Sequence, residues 1–187
     1  LCAGISVKTF SEHLVERLEG KWADSPETGF KVGIASGRVL VKRVGTLRNP
    51  AEQEPLWAGK PVNYATKAAQ QAERHELIIT GPVWDRIEAN DYLTFSCPCA
   101  TGPSDGIWAE VELERLPPGS PEALGRTLKL RWCPTHGAEY FAAILGGKNL
   151  RSDVEALRKS REKVRMARAL AAKDTRDEAN ARARRGL

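Results

Sequence analysis

Hydrophobic residues near the start of the chain recur every three or four positions. This spacing predicts an amphipathic helix over residues 3–19 with one apolar, buried face. The face consists of Val7, Phe10, Leu14 and Leu18. Gly20 offers an end to the helix, and residues 24–26 predict a loop.

After this helix, apolar and polar residues alternate as in strands, and the apolar residues then return to helical spacing. Phe30, Val32 and Ile34 alternate with small or polar residues, which predicts a strand, and residues 39–44 predict a second one. Residues 46–55 are polar and contain two prolines, so we expect an exposed loop. A helix follows, with Pro61 in its first turn. Its apolar face consists of Val62, Ala65, Ala69 and Ala72.

The rest of the chain reads as short elements followed by one long helix. Strands are predicted at residues 77–79, 92–96, 108–113 and 128–132, and helices at residues 82–89 and 139–145. The proline-rich residues 117–121 predict a linker or long turn. No Gly or Pro occurs between Gly147 and Gly186, and the abundance of Ala, Arg, Lys and Glu there predicts a long charged helix.

The net charge of +5 belongs to the C-terminal segment. Residues 151–187 contain 12 Lys/Arg and six Asp/Glu, leaving 17 basic and 18 acidic residues before them. A thin apolar stripe there predicts a solvated helix with a modest docking edge. The alternative is that this tail binds nucleic acid, but no aromatic residues interleave to stack on bases, so nucleic acid is not an expected partner. The stripe is Val154, Leu157, Val164 and Leu170.

The sequence contains no apolar run long enough to span a bilayer and no secretion signal at its start. We therefore expect a cytoplasmic protein with reduced thiols and no membrane partner. The only methionine is Met166, so we expect further sequence upstream of Leu1.

Two stretches resemble the catalytic core of class III nucleotidyl cyclases. Residues 31–45 read KVGIASGRVLVKRVG, similar to the paired strands of that family, and residues 57–69 read WAGKPVNYATKAA. The second stretch is similar to the family segment Gly-x-x-Val-Asn-x-Ala-x-Arg. Together with the apolar Leu56, its wording is most like the pyrimidine cyclases of bacterial Pycsar antiphage systems. The resemblance covers roughly residues 1–95.

The resemblance implies an α/β (α+β) fold of the ferredoxin-like kind, with a mixed, mostly antiparallel sheet and helices on one face. Residues 1–95 would be the C-terminal part of the cyclase core. Residues 96–147 would form a β-rich extension, and residues 148–187 the long basic helix.

The implied activity is conversion of UTP or CTP to the 3′,5′-cyclic monophosphate and pyrophosphate. In antiphage defence this product activates a separate effector. Asn63 would orient the ribose, and Lys67 would stabilise charge on the α-phosphate; most of the family has arginine at the latter position. The alternative for these two residues, four apart on one helix, is that Asn63 caps the helix and Lys67 is solvated.

Leu56 and Trp57 are candidates for substrate binding. Purine cyclases place a polar, base-selecting residue seven positions before the asparagine, which here is Leu56. An apolar side chain cannot hydrogen bond to a purine edge. The alternative is a purine cyclase whose base pocket comes from residues upstream of Leu1.

The resemblance also implies two divalent ions, Mg or Mn, and a homodimer with composite active sites. In the family two aspartates hold the ions, and we expect them upstream of Leu1, so this chain alone should be inactive. The other alternative is a catalytically inactive cyclase-like module that binds nucleotide or dimerises.

Two pairs of potential metal ligands lie outside the cyclase-like region. Cys97 and Cys99 form a C-x-C pair, and Cys133 and His136 form a C-x-x-H pair. Together they could complete a tetrahedral structural zinc site. Because C-x-C is an unusual spacing for structural zinc, the alternative is a buried Cys133 and two cysteines that flank a turn.

Overall fold

The computed structural model describes residues 1–22, 24, 27–45, 49, 53–99 and 102–184. Parts of the loops predicted at residues 24–26 and 46–55, and Gly186, lie outside these residues. The first half contains α1 (Cys2–Lys21), β1 (Val32–Ile34), β2 (Leu40–Gly45), β3 (Gln53–Ala58), α2 (Lys60–Gln71), β4 (Leu77–Ile79) and α3 (Gly81–Ile87). The second half contains α4 (Asp91–Thr94), β5 (Trp108–Glu112), β6 (Leu124–Leu128), α5 (Pro134–Leu145) and α6 (Glu155–Arg184).

Four strands form one mixed sheet in the order β1-β4-β6-β5. β1 runs parallel to β4, whereas the β4–β6 and β5–β6 pairs are antiparallel. This arrangement confirms the predicted α/β fold with a mixed, mostly antiparallel sheet and a long C-terminal helix. Among the described residues, β2 and β3 pair only with each other, as an antiparallel two-stranded ribbon, called here the β2–β3 ribbon.

Helices cover both faces of the sheet, so the prediction of helices on one face is wrong. Side chains alternate along β4, and Leu77 and Ile79 pack in a core cluster with Ile5 of α1 and residues of α3. Ile78 points to the other face and packs with Ala68 of α2 in a second cluster. Because β4 is buried on both faces, it has no polar position.

Three predictions of local structure in the sheet region are corrected. Residues 53–55, predicted as the end of a loop, belong to the strand Gln53–Ala58, which pairs with β2. Residues 92–96 contain the single helical turn α4, whose preceding residue Asn90 accepts a hydrogen bond from the backbone N–H of Tyr92 at 3.0 Å. The last strand is Leu124–Leu128 rather than residues 128–132, because its partner β5 begins at Trp108, opposite Leu128.

The buried face of α1 differs from the predicted stripe. Ile5, Ser11 and Val15 are buried, whereas Phe10 is 58% exposed. A Cβ on Gly4 would lie only 2.8 Å from the Leu77 side chain, so this glycine lets the helix approach the sheet closely. Hydrophobicity alone could not identify that face.

The long charged helix is confirmed, beginning at Glu155. Val154 is completely buried just before it, but Val164 and Leu170 are at least half exposed. All side chains from residue 162 to residue 180 are exposed, so the docking edge is confined to the first turns. No helix among the described residues is long and apolar enough to cross a membrane.

Candidate functional site

The N-terminus of α2 is fixed beside the chain that enters β2. Gly59 precedes the helix with a φ of +154°, which favours glycine. A Cβ there would also lie 3.0 Å from the backbone oxygen of Arg38. Pro61 lies in the first turn, where its missing N–H leaves no helical hydrogen bond unmade. The start of α2 therefore has a defined position relative to the β2–β3 ribbon.

One face of α2 packs backbone to backbone on the sheet. A Cβ on Gly33 of β1 would overlap the backbone oxygen of Ala65 and lie 2.5 Å from the backbone nitrogen of Ala69. Only glycine permits so close an approach. Ala68 is completely buried in this contact, whereas Val62, predicted to belong to the packed face, is 42% exposed.

Asn63 and Lys67 share a different face of α2. Asn63 is exposed and Lys67 is half-buried. The alternative that Asn63 caps the helix is wrong, because the N-cap is Gly59 and no side chain makes a capping hydrogen bond. Within the described part of the chain, neither the Asn63 amide nor the Lys67 ammonium has a hydrogen-bonding or ion-pair partner. Since they are one turn apart on a rigid helix, both can contact one ligand.

Leu56 and Trp57 lie on β3, with 55% and 56% of their surfaces exposed. Leu56 is opposite Lys42 on β2, and Trp57 is opposite Val41. Successive residues of a strand point to opposite faces. The ribbon therefore directs Leu56 and Trp57 away from each other, and a ligand on one face can contact only one of them.

The segment that contains the ribbon and α2 is basic. Residues 37–71 contain six Lys/Arg and two Glu. Four of these cations are exposed, and none has an ion-pair partner among the residues that the structure describes. Unpaired positive charge of this kind favours a polyanionic ligand such as a triphosphate. The four are Arg38, Lys42, Arg43 and Lys60.

Three cysteines and one histidine meet at a second location. Cys97 and Cys99 follow α4, Cys133 is the N-cap of α5, and His136 lies in the first turn of that helix. One ligand atom from each residue lies within 4.8 Å of the other three. The structure thus brings together all four residues of the predicted zinc site, and this cluster could hold a zinc ion.

The thiols of this cluster interact directly with one another and with the histidine. The backbone N–H of His136 donates to Cys133 Sγ at 3.3 Å, and this hydrogen bond is the main cause that lowers the pKa of Cys133 to about 6. The hydrogen bond to Cys133 raises the pKa of Cys99 to about 11. All four cysteines of the chain are free thiols.

A buried ionic group that the sequence did not indicate anchors the start of α6. The Asp91 side chain is 2% exposed and pairs with Arg158 of α6. It also accepts a hydrogen bond from the backbone nitrogen of Arg151 at 2.7 Å. The Arg151 guanidinium donates to the backbone oxygens of Phe95 and Ser96 at 3.2 and 3.0 Å. The partners lie about 60 positions apart in the chain, so no local pattern connects them.

Among the described residues, no group of three or more metal-capable side chains offers a carboxylate to the two hard divalent ions implied by the cyclase resemblance. Mg²⁺ and Mn²⁺ prefer oxygen ligands. Among the residues that the structure describes, the cysteine–histidine cluster is the one group of three or more metal-capable side chains, and it contains no carboxylate.

Comparison with known proteins identifies two similar enzymes. The chain is 47% identical over 188 residues to a uridylate cyclase of Propioniciclava tarda, a match that covers 100% of this chain and 60% of that protein. It is 51% identical over 161 residues to a uridylate cyclase of Micromonospora echinofusca, covering 86% of this chain and 52% of that protein. No protein-family model matches the chain. The chain spans between half and two thirds of the length of these relatives and is homologous to them, which confirms the resemblance to pyrimidine cyclases.

Proposed function

We propose that this homologue of the uridylate cyclases takes part in converting UTP, or alternatively CTP, to the 3′,5′-cyclic monophosphate and pyrophosphate. The observation that carries this proposal is the pair of Asn63 amide and Lys67 ammonium, one turn apart on α2, which have no partner among the residues that the structure describes. The relatives named uridylate cyclases support the uracil base. In the reaction the 3′-oxygen bonds to the α-phosphorus, the 3′-hydroxyl proton is lost, and pyrophosphate leaves.

Asn63 and Lys67 have separate roles in this proposal. The Asn63 amide is both a donor and an acceptor, so it can orient the ribose hydroxyls relative to the α-phosphate. The Lys67 ammonium lies one turn further along the same face and would stabilise the negative charge that develops on the α-phosphate oxygens. The four exposed cations would attract the triphosphate by their positive charge. They are Arg38, Lys42, Arg43 and Lys60.

Leu56 and Trp57, the two apolar candidates for substrate binding, lie on opposite faces of the ribbon. Leu56 occupies the base-selecting position and would contact the pyrimidine without a hydrogen bond. Trp57, on the opposite face with Val41, would then contact a partner subunit or the remainder of the protein. Selection against purines would follow from the shape of the pocket and from the lack of a polar partner at Leu56.

The catalytic divalent ions would be held by two aspartates outside the described residues. When bound, such ions activate a hydroxyl nucleophile and neutralise phosphate charge. If those aspartates are absent from this chain, the chain by itself should be inactive.

A homodimer with composite active sites accounts for the exposed ribbon. Two-stranded ribbons are marginally stable alone, and the β2–β3 ribbon exposes several large apolar side chains, which marks an interaction surface. A second copy that covers the face with Val41 and Trp57 would bring its own metal-binding residues to Asn63 and Lys67. The exposed apolar side chains of the ribbon are Leu40, Val41, Val44, Leu56 and Trp57. The cyclic product would act in the cytoplasm on a separate effector.

The test measures cyclisation of UTP by the gene product, including any sequence that precedes Leu1. Asn63→Ala and Lys67→Ala should each lower kcat by about 10²–10³, the loss typical of removing one group that stabilises a transition state. Lys67→Arg should retain activity, because arginine also binds phosphate.

The matched control is Thr66→Ala on the same helix. The Thr66 hydroxyl donates to the backbone oxygen of Val62 at 3.0 Å, within the helix, so its loss should change kcat less than twofold. Equal activity of the Asn63→Ala, Lys67→Ala and Thr66→Ala proteins would refute the assigned roles. Loss of folding is checked in each variant by circular dichroism.

A further inference from the structure

Two segments that the proposed cyclase reaction does not use converge on one small volume. Cys99 Sγ lies 3.6 Å from Cys133 Sγ and 3.3 Å from His136 Nδ1, and Cys133 Sγ lies 3.2 Å from the same nitrogen. Cys97 Sγ lies within 4.8 Å of the other three ligand atoms. The C-x-C segment follows α4, and the other two residues begin α5.

These separations match the edges of a zinc tetrahedron. Zn–S bonds of about 2.3 Å and Zn–N bonds of about 2.0 Å at tetrahedral angles place two sulfurs about 3.8 Å apart and a sulfur and a nitrogen about 3.5 Å apart. The observed values of 3.6, 3.3 and 3.2 Å lie within a few tenths of an ångström of these. A sulfur–sulfur distance of 3.6 Å is far longer than the bond of about 2.05 Å in a disulfide.

We propose that Cys97, Cys99, Cys133 and His136 bind one zinc ion. Three thiolates and an imidazole form a soft, nitrogen- and sulfur-only donor set that selects zinc over magnesium or calcium. Since the protein supplies all four ligands, no position remains open for water or substrate, which is the mark of a structural site. The proposal is independent of the cyclase reaction.

The zinc would join the segment after α4 to the N-terminus of α5, next to the anchor of α6. Ser96 directly precedes Cys97, and its backbone oxygen accepts a hydrogen bond from Arg151. On the other side, the Tyr140 ring lies 5.8 Å from the His136 ring and 4.6 Å from the Arg151 guanidinium. Cys99 itself is exposed, so apolar packing does not fix this end of the loop. The ion would therefore hold the surface on which Arg151 and the first turns of α6 dock.

The test compares Cys99→Ser with Cys2→Ser in the chain purified without a metal-binding tag. Cys99 is exposed, so its replacement removes no core packing, and Cys2 lies outside the cluster. Zinc is measured by mass spectrometry after dialysis against micromolar zinc. The wild-type chain and Cys2→Ser should retain one zinc per chain, whereas Cys99→Ser should retain less than a tenth of that amount.

Two further measurements keep the test informative if a variant is unstable. Cobalt(II) added to the metal-free wild-type chain should give the thiolate charge-transfer band and the d–d absorption of a tetrahedral site. A chelator should lower the wild-type melting temperature by several degrees and leave that of Cys99→Ser unchanged. A wild-type chain that takes up no zinc or cobalt, or equal zinc in Cys99→Ser, would overturn the proposal.

Discussion

The buried Asp91 carboxylate should be worth a measurable part of the free energy of unfolding. Its side chain is 2% exposed, pairs with Arg158 of α6 and accepts the backbone N–H of Arg151 at 2.7 Å. Asp91→Asn keeps the size of the side chain and one oxygen acceptor but removes the charge. Both donors, the Arg151 backbone N–H and the Arg158 guanidinium, contact the same oxygen, Oδ2, so the amide oxygen can still accept from both and the variant mainly reports the loss of charge.

The burial of Asp91 determines how much free energy of unfolding the Asp91→Asn variant should lose. Removing one partner of a fully buried ion pair costs about 3–5 kcal/mol, and a hydrogen bond to a charged group is worth about 1.5–3 kcal/mol. Because the Arg158 side chain is 23% exposed, water can solvate part of its charge in the variant. We therefore expect the free energy of unfolding to fall by about 2–3 kcal/mol, or the melting temperature by about 5–10 °C for a chain of this size.

The assay is urea unfolding followed by tryptophan fluorescence and circular dichroism. Arg165→Ala is the matched control, because Arg165 lies on the same helix but forms an ion pair with Glu88 that is 64% and 30% exposed. Its loss should cost less than about 1 kcal/mol. If Asp91→Asn is no more destabilising than Arg165→Ala, the account of how α6 is anchored is refuted.

Three further variants test the packing. Gly33→Ala should destabilise the chain by about 1–3 kcal/mol, because its Cβ would overlap the α2 backbone; an unchanged urea midpoint would contradict the close contact. In Gly20→Ala of α1, the new Cβ has no atom of the described residues within 4 Å beyond its chain neighbours and its own helix backbone, and the variant should instead stabilise the chain by about 0.5–1 kcal/mol, which a lower midpoint would contradict. The Tyr140 hydroxyl is buried without a partner among the described residues, so Tyr140→Phe should be neutral or stabilising in the same assay. A loss above about 1 kcal/mol would reveal a hydrogen bond made by that hydroxyl.

Helices with local signals were predictable from the sequence. α2 and α3 each carry proline in the first turn, and α6 lacks Gly and Pro throughout. Element ends that depend on pairing were not predictable. Alternating apolar residues continue past β6 to Leu130, but Leu130 is 47% exposed, because the ladder with β5 ends at Leu128.

Two predictions of local structure failed for opposite reasons. The two prolines of residues 46–55 indicated a loop, but the described ribbon has no third strand that needs the missing N–H, so Pro55 is tolerated on β3. Aromatic and β-branched residues at 92–96 indicated a strand, but capping by Asn90 closes a helical turn there. The hydrogen bond from Tyr92 to the Asn90 cap therefore outweighs the strand propensity of the residues that follow.

The candidate sites differ in how far sequence could identify them. Asn63 and Lys67 are four apart on one helix, so their common face follows from helical geometry alone. The cysteine–histidine pairs could be suggested from spacing, but only the fold shows that α5 begins beside Cys99. The anchor of α6 joins Asp91 to Arg151 and Arg158 over about 60 positions, and no local pattern in the sequence carries that information.

The most direct test of the central claim is product analysis with competing substrates. The gene product, including any sequence that precedes Leu1, is incubated with equal ATP, GTP, CTP and UTP plus manganese, and cyclic products are identified by mass spectrometry. The account predicts cyclic UMP as the main product and its loss in Asn63→Ala and Lys67→Ala. Cyclic AMP or cyclic GMP as the main product would contradict the role of Leu56, and the absence of any cyclic nucleotide would contradict the proposed reaction itself.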